Sequence, residues 1–215
     1  MRDIILFGIQ GSGKGTQGKI LAEKFNLDVF EAGAELRALA NSSSPLGQKV
    51  REIINSGQLV SDEIIMDVIE NFLRNVPREQ SVIFDGIPRR LSQQKLFDNL
   101  MERLGRNPIA IYIEISDDEV FKRLNNRKIC EKCKAVCIDN PEDGVCPKED
   151  CNGKLVQRED DSNAESIQTR IDLYKSETLA VIKEYTNEDR VIKINGEQSI
   201  EEVNQEILTS LSSLV

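Results

Sequence analysis

Four short runs along the chain are apolar with almost no polar interruption. They are "DIILFG" (3–8), "SVIFDG" (81–86), "IAIYIEI" (109–115) and "RVIKING" (190–196). A strand with one wet face alternates apolar and polar residues. Near-continuous apolar runs of this length belong to strands covered on both faces. "LDVFEAG" (27–33) makes a fifth candidate. Between these runs the period lengthens to that of a helix. Ile20, Leu21 and Phe25 share a helical face, and Ile64, Ile65, Val68, Ile69, Phe72 and Leu73 form a stripe opened by the capping signal "SDE". Residues 164–185 read as one long helix, and "SIEEVNQEILTSLSSL" closes the chain as another. Strands alternating with helices predict an α/β fold with a parallel sheet.

Two stretches break the alternation. Residues 31–60 hold short helical pieces divided by "NSSSPLG", read as a loop, and by "NSG". Residues 123–160 are rich in Cys, Gly and charge and have little periodicity. Both read as insertions on one core made of 1–30, 61–122 and 161–215. No internal repeat is evident.

Composition narrows the chemistry. The 215 residues carry a net charge of −9 and no His. The acidic balance argues against a nucleic-acid binder or a protein of anionic membranes. Without an imidazole, Ser-His and Cys-His catalysis are excluded. No signal peptide and no run near 18 apolar residues is seen, which predicts a soluble, cytoplasmic protein with no membrane partner.

"GIQGSGKGTQ" (8–17) follows the first strand and leads into a helix. Gly8, Gly13 and Lys14 fit the phosphate-loop pattern, but Gly15 stands where Ser or Thr is expected and the hydroxyl arrives one residue later, at Thr16. Gly11, Gly13 and Gly15, with Ser12 between them, let backbone amides converge on phosphate. The helix N-terminus adds its dipole, and Lys14 brings a charge to the β- and γ-phosphates. At the end of another strand, Asp85 can orient water around Mg²⁺ with Thr16, and Arg89 can fork onto a phosphate.

All five cysteines lie within 130–151. Cys130-x2-Cys133 and Cys146-x4-Cys151, separated by 12 residues, have the spacing of a structural, tetrahedral Zn²⁺ site. Cys137 is spare or substitutes for one ligand. A zinc ribbon can also bind nucleic acid. Residues 130–161, however, carry nine acidic against five basic side chains, which repels a phosphate backbone.

"GxxGxGKGTQ" is the form of the loop in adenylate kinases and related nucleoside monophosphate kinases. The chain resembles that family over essentially its whole length. "DGIPRR" (85–90) resembles the family's "DGFPR", and Gln93 falls where the family reads the adenine of AMP. "EAGAELR" (31–37) resembles "STGDxLR", in which Arg37 would hold the AMP phosphate. Ala32 departs from the usual Thr near the base, and Ala34 from the usual Asp. "GQLVSDE" (57–63) matches the segment whose backbone, at Gln58 and Val60, lines that base, and the resemblance counts Gly86, Arg89, Arg158 and Arg170 among the AMP-binding residues too. Arg123 and Arg127 match the arginines that open a lid, and Arg158 and Arg170 those that close on the transferring group. "REDDSNAES" is one residue longer than usual, and either Asp160 or Asp161 pins the lid. "INGEQ" (194–198), ending in Gln198, matches the segment beside the ATP adenine.

The resemblance implies a P-loop three-layer fold with a five-stranded parallel sheet, a monophosphate-binding insertion and a lid with a four-cysteine zinc site. It implies reversible, Mg²⁺-dependent transfer of a phosphoryl group from ATP to AMP by a monomer. Lys14, Arg89, Arg123, Arg158 and Arg170 would stabilise the transferring group. The alternatives are a kinase for UMP or CMP, a switch GTPase or motor ATPase, and an inactive scaffold or zinc-ribbon interaction protein. Gln93 speaks for AMP and Ala32 against it, and the guanine-reading N-K-x-D is missing.

Overall fold

The structure is a computed structural model that describes residues 2–56, 58–137, 141, 143–157 and 164–212. Five parallel strands form the central sheet: β1 (Ile4–Phe7), β2 (Asp28–Glu31), β3 (Val82–Asp85), β4 (Ile109–Glu114) and, last in the chain, β8 (Val191–Asn195). Their order is β2-β3-β1-β4-β8. The register pairs Ile5 with Phe84 and with Ala110, so β1 lies in the middle of the sheet.

Successive side chains of a strand point to opposite faces. Ile4 and Leu6 therefore enter one hydrophobic cluster, with Ile83, Ile111 and Ile194, while Ile5 and Phe7 enter another, with Phe30, Phe84 and Phe97. Two cores on two faces explain why β1, β3 and β4 have no polar alternation, whereas the edge strand β8, expected to be covered on both faces, exposes Lys193 and Asn195. Helices α1 (Lys14–Phe25) and α9 (Ile200–Ser212) cover the first face through Leu21, Val203 and Ile207. On the other face lie α4 (Asp62–Arg74), α5 (Leu91–Arg103) and α8 (Leu179–Asn187). The α4 stripe splits: Ile65, Ile69 and Leu73 are buried, and Ile64, Val68 and Phe72 only partly. Phe25 of the α1 stripe is exposed.

Between β2 and α4 the chain forms α2 (Ala32–Ala40) and α3 (Pro45–Asn55). The "NSSSP" segment is not all loop. Ser44 caps α3 by accepting from the Gly47 amide at 3.0 Å, and Pro45 is its first residue, where no amide hydrogen is needed. Ser61 caps α4 in the way its sequence predicts. After β4, α6 (Asp117–Asn126) leads to a small antiparallel sheet of β5 (Lys128–Cys130), β6 (Val136–Cys137) and β7 (Leu155–Gln157), ordered β6-β5-β7. Helix α6 runs on past Arg123, so the insertion's own strands begin only at Lys128.

The long helix expected over 164–185 is interrupted. Helix α7 (Ala164–Leu173) passes into a π-helical turn at Tyr174–Thr178 before α8 begins. A π turn makes room for one extra residue in a helix. Here it brings Thr178 inward, where its hydroxyl donates to the Arg89 carbonyl at 3.0 Å.

Candidate active site and candidate metal centre

The turn between β1 and α1 holds left-handed backbone at Gly11 (φ 86°) and Gly13 (φ 95°), conformations that side chains other than Gly rarely take. Gly13 is the N-cap of α1 and no side chain caps that end. The Gln17 amide is the first to bond within the helix, to the Gly13 carbonyl at 3.0 Å. The amides of Lys14, Gly15 and Thr16 precede it and point out of the helix end, which makes an anion site. Ser12 takes a different part: it is buried, and its amide donates to the Ile9 carbonyl at 3.1 Å, closing the turn.

The Lys14 ammonium lies 3.3 Å from the Ile9 carbonyl. Burial lowers its pKa. The Asp85 carboxylate works against that, and Arg89, Arg127 and Arg170 add to the lowering. One ammonium thus feels charges from the end of β3, the following loop, the end of α6 and α7. A group of cations of this kind favours an anion in its midst. Asp85 also borders the loop: a Cβ on Gly15 would stand 3.7 Å from its Oδ2.

Arg89 is held from three sides. Its Nε donates to the Gly86 carbonyl at 2.7 Å, its amide donates to Gln93 Oε1 at 2.9 Å, and its carbonyl takes the Thr178 hydroxyl. Gln93 is buried in making that bond. Arg123 donates to the Gly11 carbonyl at 3.3 Å and to the Gly196 carbonyl at 2.9 Å, joining the glycine turn to the segment after β8. Gln198, further along that segment, turns its side chain away to Glu206 at 2.6 Å. Arg127 is buried at the end of α6.

The residues that the family resemblance assigns to the acceptor separate into two groups. Arg37 of α2 pairs with Glu31 at 3.1 Å, and Val60 is buried with its carbonyl accepting from Arg90 at 3.0 Å. Ala32 is 2 % exposed and belongs to the core cluster, while Gln58 is exposed. Arg158, Asp160 and Asp161 lie outside the described residues.

Two contributors escaped the sequence reading. Glu119 fixes Arg123 Nε at 2.7 Å, and its position one helical turn earlier was the available signal. Arg90 reaches both Val60 and Asp62 (3.3 Å). Nothing in sequence spacing links residues 60 and 90.

Where β5 ends and the turns beside the small sheet begin, the sulfur atoms of Cys130, Cys133, Cys146 and Cys151 all lie within 4.8 Å of one another. Cys130 and Cys151 are 3.5 Å apart and Cys133 and Cys146 3.7 Å, and no disulfide forms. A tetrahedral ion with metal–sulfur bonds of about 2.3 Å requires sulfurs roughly 3.8 Å apart, so the donor set fits a metal ion. Backbone donation from Cys133 pulls the Cys130 thiol down to about 6, whereas its cysteine neighbours, Cys133 first, push Cys151 up to about 11. Packed thiolates repel one another, and a divalent cation lets all four ionise. Gly153 leaves the space: a Cβ there would come within 2.4 Å of Cys130 Sγ. Cys137 is buried beside the group but outside the set of four, and burial raises its pKa.

Open amides at a helix start take phosphate oxygens, and several cations over one lysine take more than one phosphate group. On a parallel sheet, entered directly from its central strand, this arrangement defines a P-loop protein that handles nucleoside phosphates. The sequence profile described as Adenylate kinase matches residues 6–190, and the chain belongs to the adenylate kinase family. Curated relatives, each called "Adenylate kinase", agree along nearly their full lengths. The protein from Ruminiclostridium cellulolyticum is 32% identical over 97% of this chain and 98% of its own. That from Petrotoga mobilis is 34% identical over 98% and 97%, and that from Pseudothermotoga lettingae 34% over 99% of each. Among the described residues no helix is long and apolar enough to cross a membrane.

Proposed function

We propose that the chain carries out the reaction of its family in the cleft above Lys14: the γ-phosphoryl of ATP passes to AMP, giving two ADP, reversibly. The observation that carries this reading is the glycine turn that opens the start of α1, with Asp85 Oδ2 3.7 Å from where a Cβ on Gly15 would stand and Arg123 on the Gly11 carbonyl at 3.3 Å. Phosphoryl transfer asks little covalent work of a protein; positioning and charge stabilisation do most of it. The AMP phosphate is already a competent nucleophile at neutral pH, so a chain without His has what it needs.

In this reading the amides from Gly13 to Thr16 and the Lys14 ammonium bind the ATP phosphates, and Arg123 and Arg127 flank them. Gly11 belongs to the same phosphate cradle, and the segment ending at Gln198 borders the ATP base. Arg37 and Arg89 bind the acceptor phosphate, and Gln93, with the backbone around Gln58, Val60 and Gly86, borders the acceptor base. Arg158 and Arg170 complete the field around the transferring group. Asp85 and Thr16 would hold Mg²⁺ through water, and the ion supplies neutralisation of the β- and γ-phosphates when bound. Residues 31–60 and 123–160 act as flaps that shut out water. The four cysteines would hold a structural Zn²⁺ as the staple of a lid with little apolar core. Five unbridged thiols suit a reducing cytoplasm, and the family resemblance adds a monomer.

The test is a coupled ADP assay with ATP and Mg²⁺ against AMP, UMP, CMP and GMP. Turnover with AMP at the highest kcat/KM is expected. A preference for a pyrimidine monophosphate would overturn the acceptor, and no turnover with any would overturn the reaction.

A further inference from the structure

In the segment that resembles the family pattern "STGDxLR" the acidic residue has changed place. Glu31 stands at the position of its Ser, and Ala34 at that of its Asp. Ser followed three residues later by an acid is a helix-capping arrangement. In this chain it is gone: Glu31 is the N-cap residue of α2, yet its side chain makes no capping bond. The carboxylate turns instead to Arg37, with Oε1 3.1 Å from Nη2. The arginine folds back so far that a Cβ on Gly33 would meet its Nη1 at 3.0 Å. Glu31 is also the register partner of Asp85 on β3, so it sits at the carboxyl edge of the sheet, facing the cleft side of the fold.

We propose that Glu31 is a built-in competitor of the acceptor phosphate: its carboxylate holds Arg37 while the acceptor place is free and opposes the incoming dianion, weakening acceptor binding in a salt-dependent way. The inference rests on the reading of Arg37 as the acceptor's phosphate ligand. A guanidinium has five donors in a fixed fork, but a carboxylate on one edge withdraws that edge from a phosphate. The negative charge also remains within a few ångströms of the dianion, and this repulsion acts even if Arg37 holds both partners. The pair is partly open to water, with side-chain exposures of 40% and 45%, which keeps the effect moderate. Exposed ion pairs translate to a change of roughly twofold to fivefold in affinity, and salt reduces it.

Glu31→Gln removes the charge and keeps the shape. Its KM for AMP is expected to fall about twofold to fivefold at low ionic strength, with kcat and the KM for ATP unchanged. The difference from the parent should narrow as salt is raised. Glu35→Gln, on the same helix, controls for the loss of one negative charge and should not reproduce the effect. Arg37→Ala is measured alongside. If it raises the KM for AMP while Glu31→Gln leaves that value unchanged or higher, the competitor role is overturned and the reading of Arg37 stands. If Arg37→Ala leaves the KM for AMP unaltered, the acceptor reading of Arg37 fails, and the competitor role with it. A merely structural Glu31 would show a lower melting temperature and a weaker, not a stronger, hold on AMP.

Discussion

The Arg123 guanidinium donates to the Gly196 carbonyl at 2.9 Å and, with another arm, to the Gly11 carbonyl at 3.3 Å. One side chain thereby joins the glycine turn to the segment proposed to border the ATP base, and Glu119 holds it in that pose. Glu119→Gln should loosen the joint by about 1 kcal/mol, roughly a fivefold rise in the KM for ATP. The KM for AMP should stay constant. The pairing with Arg123 lowers the Glu119 pKa. For a carboxylate shifted that way the contribution is complete above the ordinary value of about 4.3 and fades only in more acid solution. The parent and variant should therefore differ by a constant factor from about pH 6 to 8. A gap that changes across that range contradicts the assignment.

Lys14 has the opposite sign. Burial and three arginines lower its pKa from 10.5 in the free protein. Phosphate binding needs the ammonium, so ATP affinity should fall as the pH rises through that lowered value, before an ordinary lysine would lose its proton. The empty protein should gain stability over the same interval, because its folded state prefers the neutral amine. Titration calorimetry with ATP from about pH 7 to 10 measures the first effect. Lys14→Arg should move the alkaline decline beyond the range.

Arg170 and Thr178 separate catalysis from positioning. Arg170→Ala is expected to lower kcat by at least about 10²-fold with a modest effect on ATP affinity, by comparison with other arginines that stabilise phosphoryl transfer. Thr178→Val removes the bond to the Arg89 carbonyl but no charge. Its loss should appear mainly as a several-fold rise in the KM for AMP, since Arg89 stands on the proposed acceptor side. Pre-steady-state measurement of ADP formation distinguishes the two outcomes.

The four-cysteine group should hold one metal ion per chain, measured by plasma emission on protein purified without chelator. Cys137→Ser should keep that ion, and Cys146→Ser should lose it. Gly153→Ala is the sharper test, because it leaves every ligand in place but puts a methyl group 2.4 Å from Cys130 Sγ. Reduced metal content and a lower melting temperature are expected. Full metal occupancy in that variant contradicts the geometry.

Stability should depend strongly on a pair far from the cleft. Arg106 meets Asp3 at 2.9 Å with both side chains nearly enclosed, and the same Asp3 oxygen accepts the Val82 amide at 2.8 Å. Arg106→Ala leaves a buried carboxylate without its cation and should cost about 3–5 kcal/mol. Arg74→Ala breaks an exposed pair with Glu70 and should cost at most about 1 kcal/mol. Urea unfolding of both variants checks the contrast.

Local chemistry determined much of this protein in advance. Runs such as "DIILFG" have to be strands covered on both sides, because no wet face would tolerate them. "GSGKGT" has to be a tight turn opening a helix, because the needed left-handed backbone angles and open amides come with its glycines and with the helix that follows. The two cysteine pairs point to a four-cysteine group by spacing, but that Cys137 stays outside it came from the fold. The family resemblance carried the rest of the expected site. Spacing did not reveal the π turn that brings Thr178 onto Arg89, since the helical period runs on through it, nor that Ala32 packs into the core. Arg90 with Val60, Arg123 with Gly196 and Glu31 with Arg37 were equally hidden, for a common reason. Which of several available partners a long cationic side chain takes depends on the distances left once the sheet order is set, and that order exists only when the whole chain has folded.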